Sequence, residues 1–99
     1  RSGDVGLGIP FNILSYSVLT YILAKHCGLK PKEFIHFIGN AHIYESHEEN
    51  LEKQIERIPI KFPKLYIKNK YNNINDYKIN DFIVDNYSYC KKINMEMIE

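Results

Sequence analysis

Residues 1–12 read Arg-Ser-Gly-Asp-Val-Gly-Leu-Gly-Ile-Pro-Phe-Asn, and a long apolar segment follows them. A cation, a hydroxyl, a carboxylate and an amide are grouped around three glycines. Glycine lets a backbone come close to a ligand and adopt positive φ without steric cost. The Arg1 guanidinium is a planar fork suited to phosphate, and Ser2 can donate a further hydrogen bond. Pro10 suits the first turn of a helix. The stretch therefore predicts a polar strand and loop delivering side chains to a pocket, then a helix that anchors them. Gly6 and Gly8 have no third glycine and no Gly-Lys-Ser/Thr ending, so neither the dinucleotide fingerprint nor the phosphate loop is present. On pattern alone a phosphate site and a plain strand-turn-helix both remain open.

Moving outward, residues 2–7 are predicted as a strand and Pro10 to about His26 as a helix. Ile13, Val18, Leu19, Ile22 and Leu23 are apolar, and so are Leu14, Tyr16 and Tyr21 on other faces. A helix apolar all round is expected to be buried. Lys25 and His26 complement its C-terminal dipole, Gly28 fits the position after its end, and Pro31 follows. Cys27 at that end is expected to be a small buried residue. Glu33 to Tyr44 is predicted as a strand broken at Gly39-Asn40, with His42 and Tyr44 leaving the same face. Ser46 and Glu49 form a capping-box pattern for a short, solvated helix with an inward stripe of Leu51 and Ile55. Glu49 and Lys53 make an i,i+4 pair in that helix. Short strands are expected at Leu65–Ile67 and around Phe82–Val84, separated by an Asn-rich loop tolerant of change. The fold class is α+β, a mixed sheet packed on a long buried helix.

Composition narrows the partners. With 44% hydrophobic and 13% aromatic residues, the 99-residue chain is suited to one small folded unit rather than disorder. A formal charge of +1 supplies no field for gripping nucleic acid or an acidic membrane, so phosphate binding must come from local placement. Ile13 to Ala24 is interrupted by Ser15, Ser17 and Thr20 and falls short of the ~20 residues of a membrane span. No signal peptide is visible. Cys27 and Cys90 form no C-x-x-C pair, which favours a reducing compartment, read here as the cytoplasm. His36, His42 and His47 lack metal-ligand spacing, so no metal is predicted.

Taken together, Arg1-Ser2-x-Asp4-x-x-Leu7-Gly8-x-Pro10-Phe11-Asn12 resembles the nucleotide-binding signature of the thymidylate synthase family. The likeness continues through Gly39-Asn40-Ala41-His42-Ile43-Tyr44 and Arg57-x-Pro59-x-x-Phe62-Pro63-x-Leu65. It runs on through Ile74-x-Asp76-Tyr77 and Asp81-Phe82 to Met95-Glu96-Met97, spanning residues 1–99 as the C-terminal segment of that fold. The resemblance implies reductive methylation of deoxyuridylate (dUMP) to thymidylate (dTMP) with 5,10-methylenetetrahydrofolate, which leaves as dihydrofolate. It implies a homodimer for the full-length enzyme, with a dihydrofolate reductase domain preceding it in some relatives. Arg1 and Ser2 match the residues that hold the nucleotide phosphate. Asp4 matches the aspartate that meets the pyrimidine through its backbone and the pterin through its carboxylate. Asn12 matches the residue that reads the base, since an amide can donate to uracil O4 and accept from N3–H, whereas cytosine reverses both. His42 and Tyr44 match the pair on the ribose 3′-hydroxyl. Gly8, Phe11 and Met97 are expected beside the folate.

The departures carry their own implications. The family's nucleophilic cysteine belongs to a Pro-Cys-His motif expected upstream of Arg1, and neither Cys27 nor Cys90 matches it. No catalytic residue is therefore assigned within residues 1–99, and the isolated chain is expected to be inactive. The last residue, Glu99, replaces the small or aliphatic residue common in the family. A deoxycytidylate hydroxymethylase relative would carry Asp where this chain has Asn12. The reading from another class is a non-catalytic nucleotide-binding or interaction fragment.

Overall fold

In the computed structural model, residues 2–98 are described. They form two units, the first of residues 2–14, 35–60 and 89–98 and the second of residues 15–34 and 61–88. Arg1, assigned to the phosphate, and Glu99, at the tail's end, lie outside the described residues.

In the first unit, β1 (Gly3–Asp4) pairs in parallel with β2 (Ala41–His42), so that Asp4 is the register partner of His42. Flanking bonds from the Gly3 N–H to the Asn40 carbonyl (2.7 Å) and from the Val5 N–H to the His42 carbonyl (2.9 Å) extend the pairing. Both strands are shorter than their sequences predict. Residues 5–7 turn instead of extending, because the Asp4 carboxylate collects the N–H groups of Gly6, Leu7 and Gly8. Residues 33–38 form no strand, and a bend at Gly39-Asn40 leads directly into β2.

Helix α1 (Gly8–Cys27) begins two residues before Pro10, with the Asp4 carboxylate accepting the N–H of its first residue. Its C-terminal half belongs to the second unit and ends as the sequence predicts. Gly28 has φ +71°, its N–H reaches the Lys25 carbonyl, and the Leu29 N–H reaches the Ala24 carbonyl at 2.8 Å. These two bonds close a Schellman motif. The Thr20 hydroxyl donates to the Tyr16 carbonyl at 2.8 Å, so its polar group is satisfied within the helix.

The predicted burial of α1 is not met in this chain. Phe11 is 68% and Leu14 60% exposed, and Ala24 is the one apolar side chain in the buried class among the described residues. Cys27 is likewise exposed rather than buried. The α+β class holds, but the sheet is two separate pairs: β1–β2 parallel, and β3 (Lys64–Ile67) antiparallel to β4 (Phe82–Asp85).

The β3–β4 pair dominates the second unit, with Lys64 opposite Asp85 and Ile67 opposite Phe82. Its connection is organised by Asp81, which is only 5% exposed. The Asp81 carboxylate accepts from the Lys78 N–H (2.8 Å), the Asn69 amide (2.7 Å) and the Tyr71 hydroxyl (3.1 Å). Those donors, the Lys78 N–H foremost, hold its carboxyl below the ordinary carboxylate range against the opposing effect of burial. The Asn-rich loop is therefore not uniformly tolerant, since a buried carboxylate without donors is costly.

In the first unit again, α2 (Glu48–Ile55) follows a 3₁₀ turn over Glu45–His47. The Ser46–Glu49 capping box does not form. The His47 N–H bonds the Tyr44 carbonyl at 2.8 Å, which places Ser46 inside the turn and makes His47 the residue before the helix. The Glu49–Lys53 pair forms at 2.5 Å. Leu51 is half-buried, but Ile55 is 81% exposed, so the inward stripe stops at Leu51.

Candidate functional site

Asp4, Gly8, Phe11, Tyr44 and Met97 of the first unit come together where β1, the first turn of α1 and the C-terminal segment meet. Asp4 ends β1, and its carboxylate is fixed by three backbone donors: Gly6 at 3.0 Å, Leu7 at 3.1 Å and Gly8 at 3.1 Å. Burial pushes this carboxyl up, but the three backbone N–H groups outweigh it and hold the carboxyl below its ordinary range. A carboxylate placed over the first N–H groups of a helix is favoured by the helix dipole as well. Asp4 is thus ionised and pre-oriented.

A cleft of about 350 Å³ opens beside it, lined by Asp4, Leu7, Gly8, Phe11, Tyr44, Met97 and Ile98. All four residues predicted beside a folate, namely Asp4, Gly8, Phe11 and Met97, line this one cleft. Of the residues predicted for the nucleotide, Asp4 and Tyr44 line it too. The His42 ring stands edge-on to Tyr44 with centroids 5.0 Å apart. Ser2 and Asn12 are exposed and do not line the cleft, although Asn12 lies one helical turn beyond Gly8 on α1. The walls are mostly apolar with one fixed anion, an arrangement that accepts a flat heteroaromatic ring carrying a polar edge.

His47, which sequence reasoning left as a rejected metal ligand, is buried to 1% exposure next to this cleft. Its Nε2 lies 2.6 Å from the Glu96 carbonyl oxygen, and its Nδ1 faces the Asp4 carboxylate at 4.0 Å. Tyr44 packs edge-on against it, with centroids 5.5 Å apart. A Cβ at Gly6 would sit 2.6 Å from His47 Nδ1, so glycine is required there by close approach. That glycine was the one available signal, and it becomes readable only once its neighbour is known. Among the described residues no group of three metal-ligating side chains forms, and no helix is long and apolar enough to cross a membrane. Neither Cys27 nor Cys90 lines the cleft.

Comparison with known proteins converges on one family. A family model described as thymidylate synthase matches residues 1–99. The chain is 53% identical over 97 residues to a thymidylate synthase of Homo sapiens, covering 98% of this chain and 31% of that protein. It is 52% identical over 97 residues to a bifunctional dihydrofolate reductase-thymidylate synthase of Plasmodium chabaudi, covering 98% of this chain and 17% of that one. Among solved structures, the thermostable thymidylate synthase A from Bacillus subtilis superposes with a TM-score of 0.91 at 37% identity, covering 98% of this chain and 35% of that chain. The chain thus spans about a third of the length of the human relative and about a sixth of the Plasmodium chabaudi one.

Proposed function

This chain belongs to the thymidylate synthase family, and on that footing we propose that it is the nucleotide- and folate-binding C-terminal segment of an enzyme converting dUMP to dTMP. The observation that supports this best is the single cleft shared by Asp4, Gly8, Phe11, Tyr44 and Met97. Four of these five are the residues that the family pattern assigns to the folate.

In this reading the division of labour follows from the side chains. 5,10-Methylenetetrahydrofolate supplies the one-carbon unit and the reducing hydride. Asp4 offers its carboxylate to the pterin edge, and the bonds from Gly6, Leu7 and Gly8 keep it from reorienting. Phe11, Leu7 and Met97 provide apolar faces for the ring and exclude water. His42 and Tyr44 grip the sugar hydroxyl from adjacent positions. Arg1 and Ser2 hold the phosphate through charge-assisted bonds of about 1.5–3 kcal/mol each. Asn12 reads the base by donating to O4 and accepting from N3–H. The nucleophilic cysteine is carried by polypeptide outside these 99 residues, and the working enzyme is a cytoplasmic homodimer.

The test is base discrimination by the full-length polypeptide. Asn12→Asp should shift the ratio of kcat/KM for dUMP over that for deoxycytidylate by about 100-fold or more toward the cytosine nucleotide, because a mismatched polar edge leaves buried groups unpaired. An unchanged ratio would remove Asn12 from the base site and the reading with it.

A further inference from the structure

The C-terminal segment reaches the cleft with no regular secondary structure over residues 89–98, so something else must hold it. Three side chains do. His47 bonds the Glu96 carbonyl at 2.6 Å, Asn50 donates to the Asn94 carbonyl at 3.1 Å, and Arg57 donates to the Lys91 carbonyl at 2.8 Å. The spacing of His47, Asn50 and Arg57 places them on one face along the 3₁₀ turn, α2 and its C-terminal end. Their partners descend in the opposite order, so the segment runs antiparallel to α2. Every bond ends on a main-chain carbonyl, so the clamp grips the backbone of the segment and none of its side chains.

We propose that His47, Asn50 and Arg57 form a clamp that fixes the register of residues 91–98, with His47 the positioning residue that brings Met97 to the Asp4 side of the cleft. A carbonyl can only accept, so Nε2 carries the proton in the bond to Glu96. The other ring nitrogen then faces the Asp4 carboxylate, and one imidazole spans the anion and the tail that share the cleft. Because His47 is almost fully buried, the ring has little room to reorient. Gly6 makes this seat possible, since a Cβ there would meet His47 Nδ1 at 2.6 Å and the Met95 sulfur at 3.3 Å. Helix α2, which reads in sequence as a solvated outer element, thereby acts on the site through the tail.

Only the kinetic arm of the test rests on the function proposed above. Trypsin cleavage of the native full-length polypeptide after Lys91 and Lys92 reads undocking of the segment directly. His47→Leu should speed that cleavage by about tenfold, the size of one lost buried hydrogen bond. His47→Gln, which retains a donor for the Glu96 carbonyl, should restore most of the protection. In kinetics, His47→Leu should raise KM for the folate while KM for the nucleotide stays within about twofold, a split that general destabilisation would not produce. Should His47→Leu fail to fold, Asn50→Ala and Arg57→Ala remove half-buried members of the clamp and should each accelerate the same cleavage about threefold. Gly6→Ala, which displaces the imidazole, should do so as strongly as His47→Leu. Cleavage at the wild-type rate in the folded variants would overturn the clamp. If the nucleotide fails to bind the wild-type polypeptide, the functional reading falls while the cleavage rates still decide the clamp.

Discussion

The Asp4 carboxylate accepts three backbone N–H groups and faces the buried His47. Its folded-state carboxyl is held below the ordinary value, so the unfolded chain binds the proton more readily than the folded one. The stability Asp4 contributes is therefore fully present above the unfolded carboxylate pKa of ~3.9 and is lost as pH falls through the lower folded value. Asp4→Asn, which keeps an acceptor but removes the charge over the helix N-terminus, should cost about 0.3–1 kcal/mol near neutral pH. It should also flatten the decline in stability below pH ~4, which urea unfolding of the full-length polypeptide at stepped pH would register. A wild-type slope in the variant would show that the titration belongs to another group. Asp4, which lines the cleft, was singled out in sequence because its family pattern is local. His47 was not, because a histidine in Ser-His-Glu-Glu reads as the first turn of a solvated helix, and its partners lie at positions 4 and 96.

Among the elements, the end of α1 was the most readable. Gly28 adopts φ +71° and lies 3.5 Å, as a built Cβ, from the Lys70 ammonium nitrogen. That contact is ordinary, so backbone conformation alone sets the cost of a side chain there. Gly28→Ala should destabilise by about 1–2 kcal/mol, whereas Gly39→Ala, which meets nothing within 4 Å, should be close to neutral. Equal thermal shifts for the two variants would show that the left-handed turn is not the reason for Gly28. The start of α2 was misread for a complementary reason. The Ser46–Glu49 pattern is locally sufficient for a cap, but the 3₁₀ turn closed by the Tyr44 carbonyl claims Ser46 first. Strands β1 and β2 were overextended in prediction because their length is set by the Asp4 turn and the bend at Gly39-Asn40. By contrast, β3 and β4 pair over four residues each, within one residue of the strands expected at Leu65–Ile67 and around Phe82–Val84.

For the chain as a whole, the apolar surface of α1 has consequences. Phe11, Leu14, Tyr16, Leu19 and Leu23 are all more than 40% exposed on one helix. Burying a side chain of this size contributes about 1.5–3 kcal/mol, so the helix has a strong drive to be covered. The isolated 99-residue chain should therefore self-associate at micromolar concentration, which sedimentation velocity would report as concentration-dependent mass. A single monomeric boundary with a cooperative thermal transition would contradict it. Within a full-length polypeptide the same helix is expected to be covered, and its period-free apolar pattern is what a fully buried helix requires.

Residue pattern alone was enough for the family, the α+β class and the helix end at Gly28, because those depend on short-range chemistry repeated along the chain. Which groups meet across long separations was left to folding. The contact of His47 with Asp4 and Glu96, the carbonyl ladder along the tail and the Asp81 network all join positions that sequence spacing does not relate. Such contacts are determined by what surrounds a polar atom in three dimensions rather than by what precedes it in the chain.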